Sequence, residues 1–122
     1  MDRKIYYLKK LIVSNLQTKY TIKGLAELIG LSTSHLQERF KAALGTTPME
    51  YLLNLRLEKA KELLETNIES NIKRICYEVG FNDQQNFSRY FKRKYGLTPT
   101  QYVNQHWEQI ENEETKNTKS ED

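Results

Sequence analysis

Two stretches of this chain carry polar side chains at helical spacing. The first holds Ser34, Gln37, Glu38 and Lys41; the second holds Gln85, Ser88, Arg89 and Lys92, with Gln84 at its N-terminal edge. Amide, guanidinium and carboxylate groups in such a row match the hydrogen-bonding groups on base edges. Gln can bridge adenine N6 and N7, Arg can bridge guanine O6 and N7, and Glu can accept from cytosine N4. Lys41 and Lys92 lie further along and suit phosphates, and Ser32, Thr33 and Asn82 join them as expected phosphate contacts. Between these groups lie Leu36, Phe40, Ala43 and Leu44 in the first stretch and Phe87, Phe91 and Tyr95 in the second. At about 100° per residue, each stretch is therefore a helix with one apolar and one polar face. Taken singly, such a polar face is also what any solvated helix shows.

The two stretches belong to a duplication. Residues 26–51 read AELIGLSTSHLQERFKAALGTTPMEY and residues 76–102 read CYEVGFNDQQNFSRYFKRKYGLTPTQY. Gly30 matches Gly80, Leu36 matches Phe87, Phe40-Lys41 matches Phe91-Lys92, and Thr47-Pro48 matches Thr98-Pro99. The offset is 50 residues at the glycine and 51 afterwards, so the second copy has one extra residue near Asn82–Gln85. Each copy outlines a short helix, a glycine turn and a second helix, which is a helix-turn-helix. The copies share turn, core aromatic and Phe-Lys pair and differ on the outward face. One scaffold presenting two different faces can read two different half-sites.

Helical periodicity dominates the rest, and no segment alternates with period two. A first helix is expected over about 3–18, with Tyr7, Leu8, Leu11, Ile12 and Leu16 inward. A short helix opens at Thr21 or Ile22, turns Leu25, Ala26, Leu28 and Ile29 inward, and ends at Gly30. Ser32 caps a helix over 33–44. Pro48, well placed in a first helical turn, starts a long helix to about Glu65. The second copy predicts helices over 72–79, 83–95 and 99–110, with Asn82 and Gln85 at capping-box spacing. The fold class is therefore all-α: seven helices, in two homeodomain-like helix-turn-helix subdomains joined by a long central helix. The subdomains span 1–47 and 66–110, the joining helix 48–65, and an acidic tail over 111–122 is expected to be disordered. Eighteen residues of helix span about 27 Å, and one turn of B-DNA is about 34 Å. A helix of that length, with the thickness of the units, could set two reading helices in successive major grooves.

Composition narrows the function. The chain has 122 residues, 29% of them charged, and a net charge of +3. Residues 108–122 hold six acids and two lysines, so the remainder is the basic part and fits a polyanionic partner. No apolar run approaches the roughly 18–20 residues of a membrane span, and the N-terminus lacks the apolar stretch of a secretory signal. One cysteine, Cys76, excludes an internal disulfide and fits a reducing, cytoplasmic setting. It is expected to be a buried thiol. His35 and His106 have no second ligand at metal-binding spacing. No nucleophile–base pair, phosphate loop or inward carboxylate pair is present, so neither catalysis nor a cofactor or small-molecule site is expected. Arg56 is expected in an intradomain ion pair, and Tyr102 and Trp107 in the C-terminal core.

The segments LAELIGLSTSHLQERFKAALGTTPMEYLLNLRLEKAKELL and IKRICYEVGFNDQQNFSRYFKRKYGLTP resemble the AraC/XylS family of bacterial transcription regulators over about residues 5–106. The resemblance implies two helix-turn-helix units on an asymmetric duplex site of roughly 20 base pairs. It also implies that Ser34, Gln37, Glu38, Gln84, Gln85 and Arg89 face the bases. Ser34 and Glu38 depart from the Trp or Arg of some members, and Val103 stands where many have Arg. The chain resembles the small stand-alone members and equally fits the C-terminal domain of a longer one. The expected function is sequence-specific binding of double-stranded promoter DNA as a transcription activator. The alternative is a protein-interaction module that binds RNA polymerase or another regulator.

Overall fold

A computed structural model of the chain describes residues 1–66, 69 and 71–120, the side chains of 116–120 excepted. Seven helices and no strand occur among the described residues: α1 Arg3–Ser14, α2 Ile22–Leu28, α3 Thr33–Leu44, α4 Pro48–Thr66, α5 Ile72–Glu78, α6 Gln84–Tyr95 and α7 Pro99–Ser120. The chain divides into two compact units, Met1–Glu58 and Lys59–Asp122, and α4 contributes to both.

In the first unit, Asp2 caps α1 by accepting from the Ile5 N–H. Ile5, Leu8 and Ile12 repeat at helical spacing and are fully buried. They pack with Leu25, Ala26, Ile29, Leu36, Phe40 and Leu52. Burying such a side chain is worth about 1.5–3 kcal/mol, so this core holds three helices and the start of α4 together. The inward stripe of α1 is centred differently from expectation. Ile5 takes the core position, and Tyr7 stands 56% exposed. Leu28 is likewise 59% exposed, because Leu25, Ala26 and Ile29 fill the inward side of α2.

α1 also ends at Ser14, four residues short of the predicted limit. The chain beyond it is held by long side chains rather than by helical hydrogen bonds. The Tyr20 hydroxyl donates to the Asn15 carbonyl at 2.8 Å. Arg56 donates from Nε to the Leu16 carbonyl at 2.9 Å and from Nη2 to the Thr18 carbonyl at 2.8 Å. Arg56 therefore anchors backbone carbonyls and is not the ion-pair member the sequence predicted. A guanidinium has donors enough for two carbonyls, and no carboxylate among the described residues bonds it.

In the second unit Ala60, Leu64, Ile75, Cys76, Val79, Phe81, Phe87 and Phe91 are buried. An aromatic series runs through it: Phe81–Phe87 at 5.0 Å, Phe87–Phe91 at 5.8 Å, Phe91–Tyr95 at 4.7 Å and Phe91–Tyr102 at 5.7 Å between centroids. The Tyr102 hydroxyl donates to Glu65. That bond holds the Glu65 carboxyl below its usual range, while burial and the carboxylate push the tyrosine up. Cys76 is fully buried, and desolvation raises its thiol above the ordinary value. Trp107 is half-buried, against His106. α7 does not stop near residue 110, where a disordered tail was expected; it continues to Ser120. Helix propagation needs far less than nucleation, and the added residues include good helix formers with no Gly or Pro to end the helix. Residues 121 and 122 of that tail lie outside the described residues.

Candidate nucleic-acid interface

The two turns are built identically. Gly30 (φ 68°) receives α2 and Gly80 (φ 106°) receives α5. Leu31 N–H donates to the Ala26 carbonyl and Gly30 N–H to Glu27; Phe81 N–H donates to Cys76 and Gly80 N–H to Tyr77. This is the Schellman pattern, which needs a left-handed residue that glycine adopts without steric cost. Each turn redirects the chain into a capped helix. Ser32 Oγ accepts from the His35 N–H at 3.2 Å. In the second copy Asp83 Oδ1 accepts from Gln85 N–H at 2.7 Å and Asn86 N–H at 3.2 Å.

The cap corrects the expected Asn82–Gln85 box. The extra residue of the second copy is Asn82, which stands exposed before the cap. Asp83 thus occupies the register of Ser32, and its carboxylate adds a favourable charge at the positive helix end. A capping box does occur one helix later. Thr98 Oγ1 accepts from Gln101 N–H at 3.2 Å, and Gln101 Oε1 accepts from Thr98 N–H at 2.9 Å.

With the caps aligned, the reading faces superimpose at an offset of 51. Ser34 matches Gln85, Gln37 matches Ser88, Glu38 matches Arg89 and Lys41 matches Lys92. On α3, Leu36 and Phe40 are fully buried, and Ser34, Gln37, Glu38 and Lys41 are exposed, with Ser32 and Thr33 at its start. On α6, Phe87 and Phe91 are fully buried; Gln84, Gln85, Arg89 and Lys92 are exposed, and Ser88 is half-buried. Each set is thus gathered on the outer side of its own helix. Ser88 is the least accessible of the candidate base readers.

The charges differ sharply. α6 carries Arg89, Lys92, Arg93 and Lys94 and no acid. α3 carries Glu38, Arg39 and Lys41, and Arg39 is committed elsewhere. Its Nη2 and Nε donate to the two carboxylate oxygens of Asp2 at 2.7 and 2.9 Å. This fork holds Asp2 below the usual carboxylate range and raises Arg39. Sequence reading missed the pair because the residues lie 37 positions apart; an acid beside a helix start was its only local sign. Glu38 has no ion-pair partner among the described residues. Among those residues no group of His, Cys, Asp and Glu could hold a metal ion, and no helix is long and apolar enough to cross a membrane.

Residues 25–105 match the model of a helix-turn-helix domain family. The C-terminal domain of the two-component response regulator yesN from Fusobacterium nucleatum is 34% identical. That match covers 84% of this chain and 99% of that one, with a TM-score of 0.77. A transcriptional regulator with an AraC-type DNA-binding domain from Chromobacterium violaceum is 29% identical over 84% of this chain and 91% of its own, with a TM-score of 0.72. This chain belongs to the AraC/XylS family.

The match spans both turns and both candidate reading helices, so the AraC/XylS helix-turn-helix accounts for the duplication itself. Among curated relatives, the raffinose operon transcriptional regulatory protein RafR of Pediococcus pentosaceus is 40% identical over 96 residues. Those residues make up 75% of this chain and 34% of RafR. The chain spans between 7% and 42% of the length of the first such relatives it matches.

Proposed function

We propose that the chain binds a specific, asymmetric duplex site in promoter DNA and activates transcription there, with α3 and α6 entering successive major grooves. The observation that carries this reading is the aligned pair of capped helices. Each buries its aromatic face and exposes polar groups at the same register. In this reading Gln84, Gln85, Ser88 and Arg89 contact bases from α6, and Ser34, Gln37 and Glu38 contact them from α3. Ser32, Thr33, Lys41, Asn82 and Lys92 contact phosphates. RafR and the Chromobacterium protein carry regulator names, which supports a regulatory role for this chain.

Selection of bound sites from a random duplex pool tests the reading. The expected consensus is a single non-palindromic site with two blocks of preferred bases. Affinity should fall steeply with salt, as counterions are released at several phosphates. Arg89→Ala should cost about 1–3 kcal/mol and relax preference at one position. An unenriched pool would refute sequence-specific binding, and an equal loss on every sequence would make Arg89 a phosphate contact.

Glu38 favours a second reading for the first unit alone. A free carboxylate at the register of Arg89 repels phosphates and suits a basic protein surface, such as one on RNA polymerase. A pull-down of polymerase that survives Arg89→Ala but is lost in Glu38→Lys supports this division of labour.

A further inference from the structure

α1 and α7 leave two faces of opposite charge uncovered. α1 carries Arg3, Lys4, Lys9 and Lys10 and no acid. Its buried side is Ile5, Leu8 and Ile12; the side opposite holds Arg3 and Lys10 among Tyr6, Tyr7 and Val13, which are 37%, 56% and 50% exposed. Scattered exposed apolar residues are ordinary, but three on one outward face of a twelve-residue helix form a patch. α7 carries Glu108, Glu111, Glu113 and Glu114 and no lysine or arginine through residue 115. An open groove of about 500 Å³ lies along it, lined by the apolar Val103, Trp107 and Ile110 and by Asn104, Glu108, Glu111 and Glu114.

The two surfaces match in length as well as charge. Residues 103–114 make a stretch of about 18 Å, the same as α1. Two copies of α7 facing each other would set acid against acid, and two copies of α1 base against base. Between these two faces, opposite charges pair only when α1 meets α7.

We propose that the exposed face of α1 on one copy of this chain docks in the α7 groove of a second copy. Tyr6, Tyr7 and Val13 cover Val103, Trp107 and Ile110, while Arg3 and Lys10 approach Glu108 and Glu111. The contact pairs unlike faces, so two copies can make it once, head to tail, or twice, about a two-fold axis. One helix on another buries well under the roughly 1,000 Å² of a stable interface. The contact therefore does not by itself hold copies together in free solution, and it acts where neighbouring DNA sites raise its effective concentration.

This extends the DNA-binding reading, and the test separates the two. Binding is measured on duplexes carrying one selected site, two sites in the same orientation, and two inverted sites, each pair at stepped spacings. The expected result is cooperative filling of paired sites in one of the two orientations, at one or a few spacings, by about tenfold, equal to about 1.4 kcal/mol of contact energy. Pairs in the other orientation should fill independently. Charge reversal of the groove, Glu108→Lys with Glu111→Lys, should abolish the cooperativity, as should Arg3→Glu with Lys10→Glu. Joining all four substitutions in one chain should restore it. Single-site affinity reports on the earlier reading and on folding. Independent filling at every spacing and in both orientations by a protein that binds single sites overturns the docking alone. So does loss of single-site affinity in Arg3→Glu/Lys10→Glu without any change in cooperativity, which would make α1 a phosphate contact. Absence of single-site binding overturns the DNA reading itself.

Discussion

α3 and α6 are the same helix built twice, and they carry opposite signs at one register. Both begin one residue after a side-chain cap, bury two large residues four apart and end at a left-handed glycine. Yet Glu38 stands where Arg89 stands, and the free positive charge of α3 is reduced further by the Asp2–Arg39 fork. The difference teaches that backbone placement and surface chemistry are separable in this fold. Burial and capping determine where a helix lies; the exposed register determines what it can recognise. On these grounds α6 is the stronger candidate reader.

The packing of the two helices differs as well, which gives the largest expected effect. Phe91 contacts Phe87, Tyr95 and Tyr102, whereas among the described residues Phe40 has one ring partner, Tyr51 at 5.6 Å. Phe91→Ala should destabilise its unit by about 3–5 kcal/mol, and Phe40→Ala by an amount at the lower end of that range. Denaturant melts followed by circular dichroism would rank them, and equal losses would remove the packing contrast. Next come the caps. Asp83 accepts two N–H groups and Ser32 one. Asp83→Ala should therefore cost up to about 2 kcal/mol and Ser32→Ala about 1, again read from melts.

Glu38→Gln sharpens the electrostatic contrast at smaller cost. Removing the carboxylate should raise affinity for every duplex by a few-fold, on the order of 1 kcal/mol or less, in direct titrations at low salt. A loss confined to sites with one particular base pair would instead make Glu38 a base reader. The smallest effect concerns the fork. Asp2 is depressed below its ordinary value of 3.8 by Arg39, so its contribution is present above that value and lost as pH falls through the lower folded value. Asp2→Asn should therefore flatten the acid limb of the first unit's stability curve and leave neutral-pH binding by α6 unchanged. An unaltered acid limb would show that the fork adds nothing measurable.

Much of this was legible in the residues. The glycine turns, the Ser32 cap and the two Thr-Pro starts rest on bonds within five residues of one another, and the inward side of Leu36, Phe40, Phe87 and Phe91 follows from helical spacing. Errors fell at stripe edges and helix ends. Tyr7 and Ile5 both fit a helical stripe on α1, and only the shape of the surrounding core selects Ile5. Asn82 and Asp83 can each cap α6, and the extended backbone at Asp83 (φ −137°) decides between them. The end of α7 is not legible in the residues, because a polar, acidic stretch without Gly or Pro fits a tail and a prolonged helix alike.

The sequence by itself determined the duplication, the helical class and the outward registers, because periodicity and capping are local and repeat visibly. Tertiary structure alone decided which charges remain available. Arg39 is paired with a residue 37 positions away, and Arg56 is bonded to carbonyls 38 and 40 positions away. No local pattern encodes such partners, since they meet only after the core has brought distant segments together.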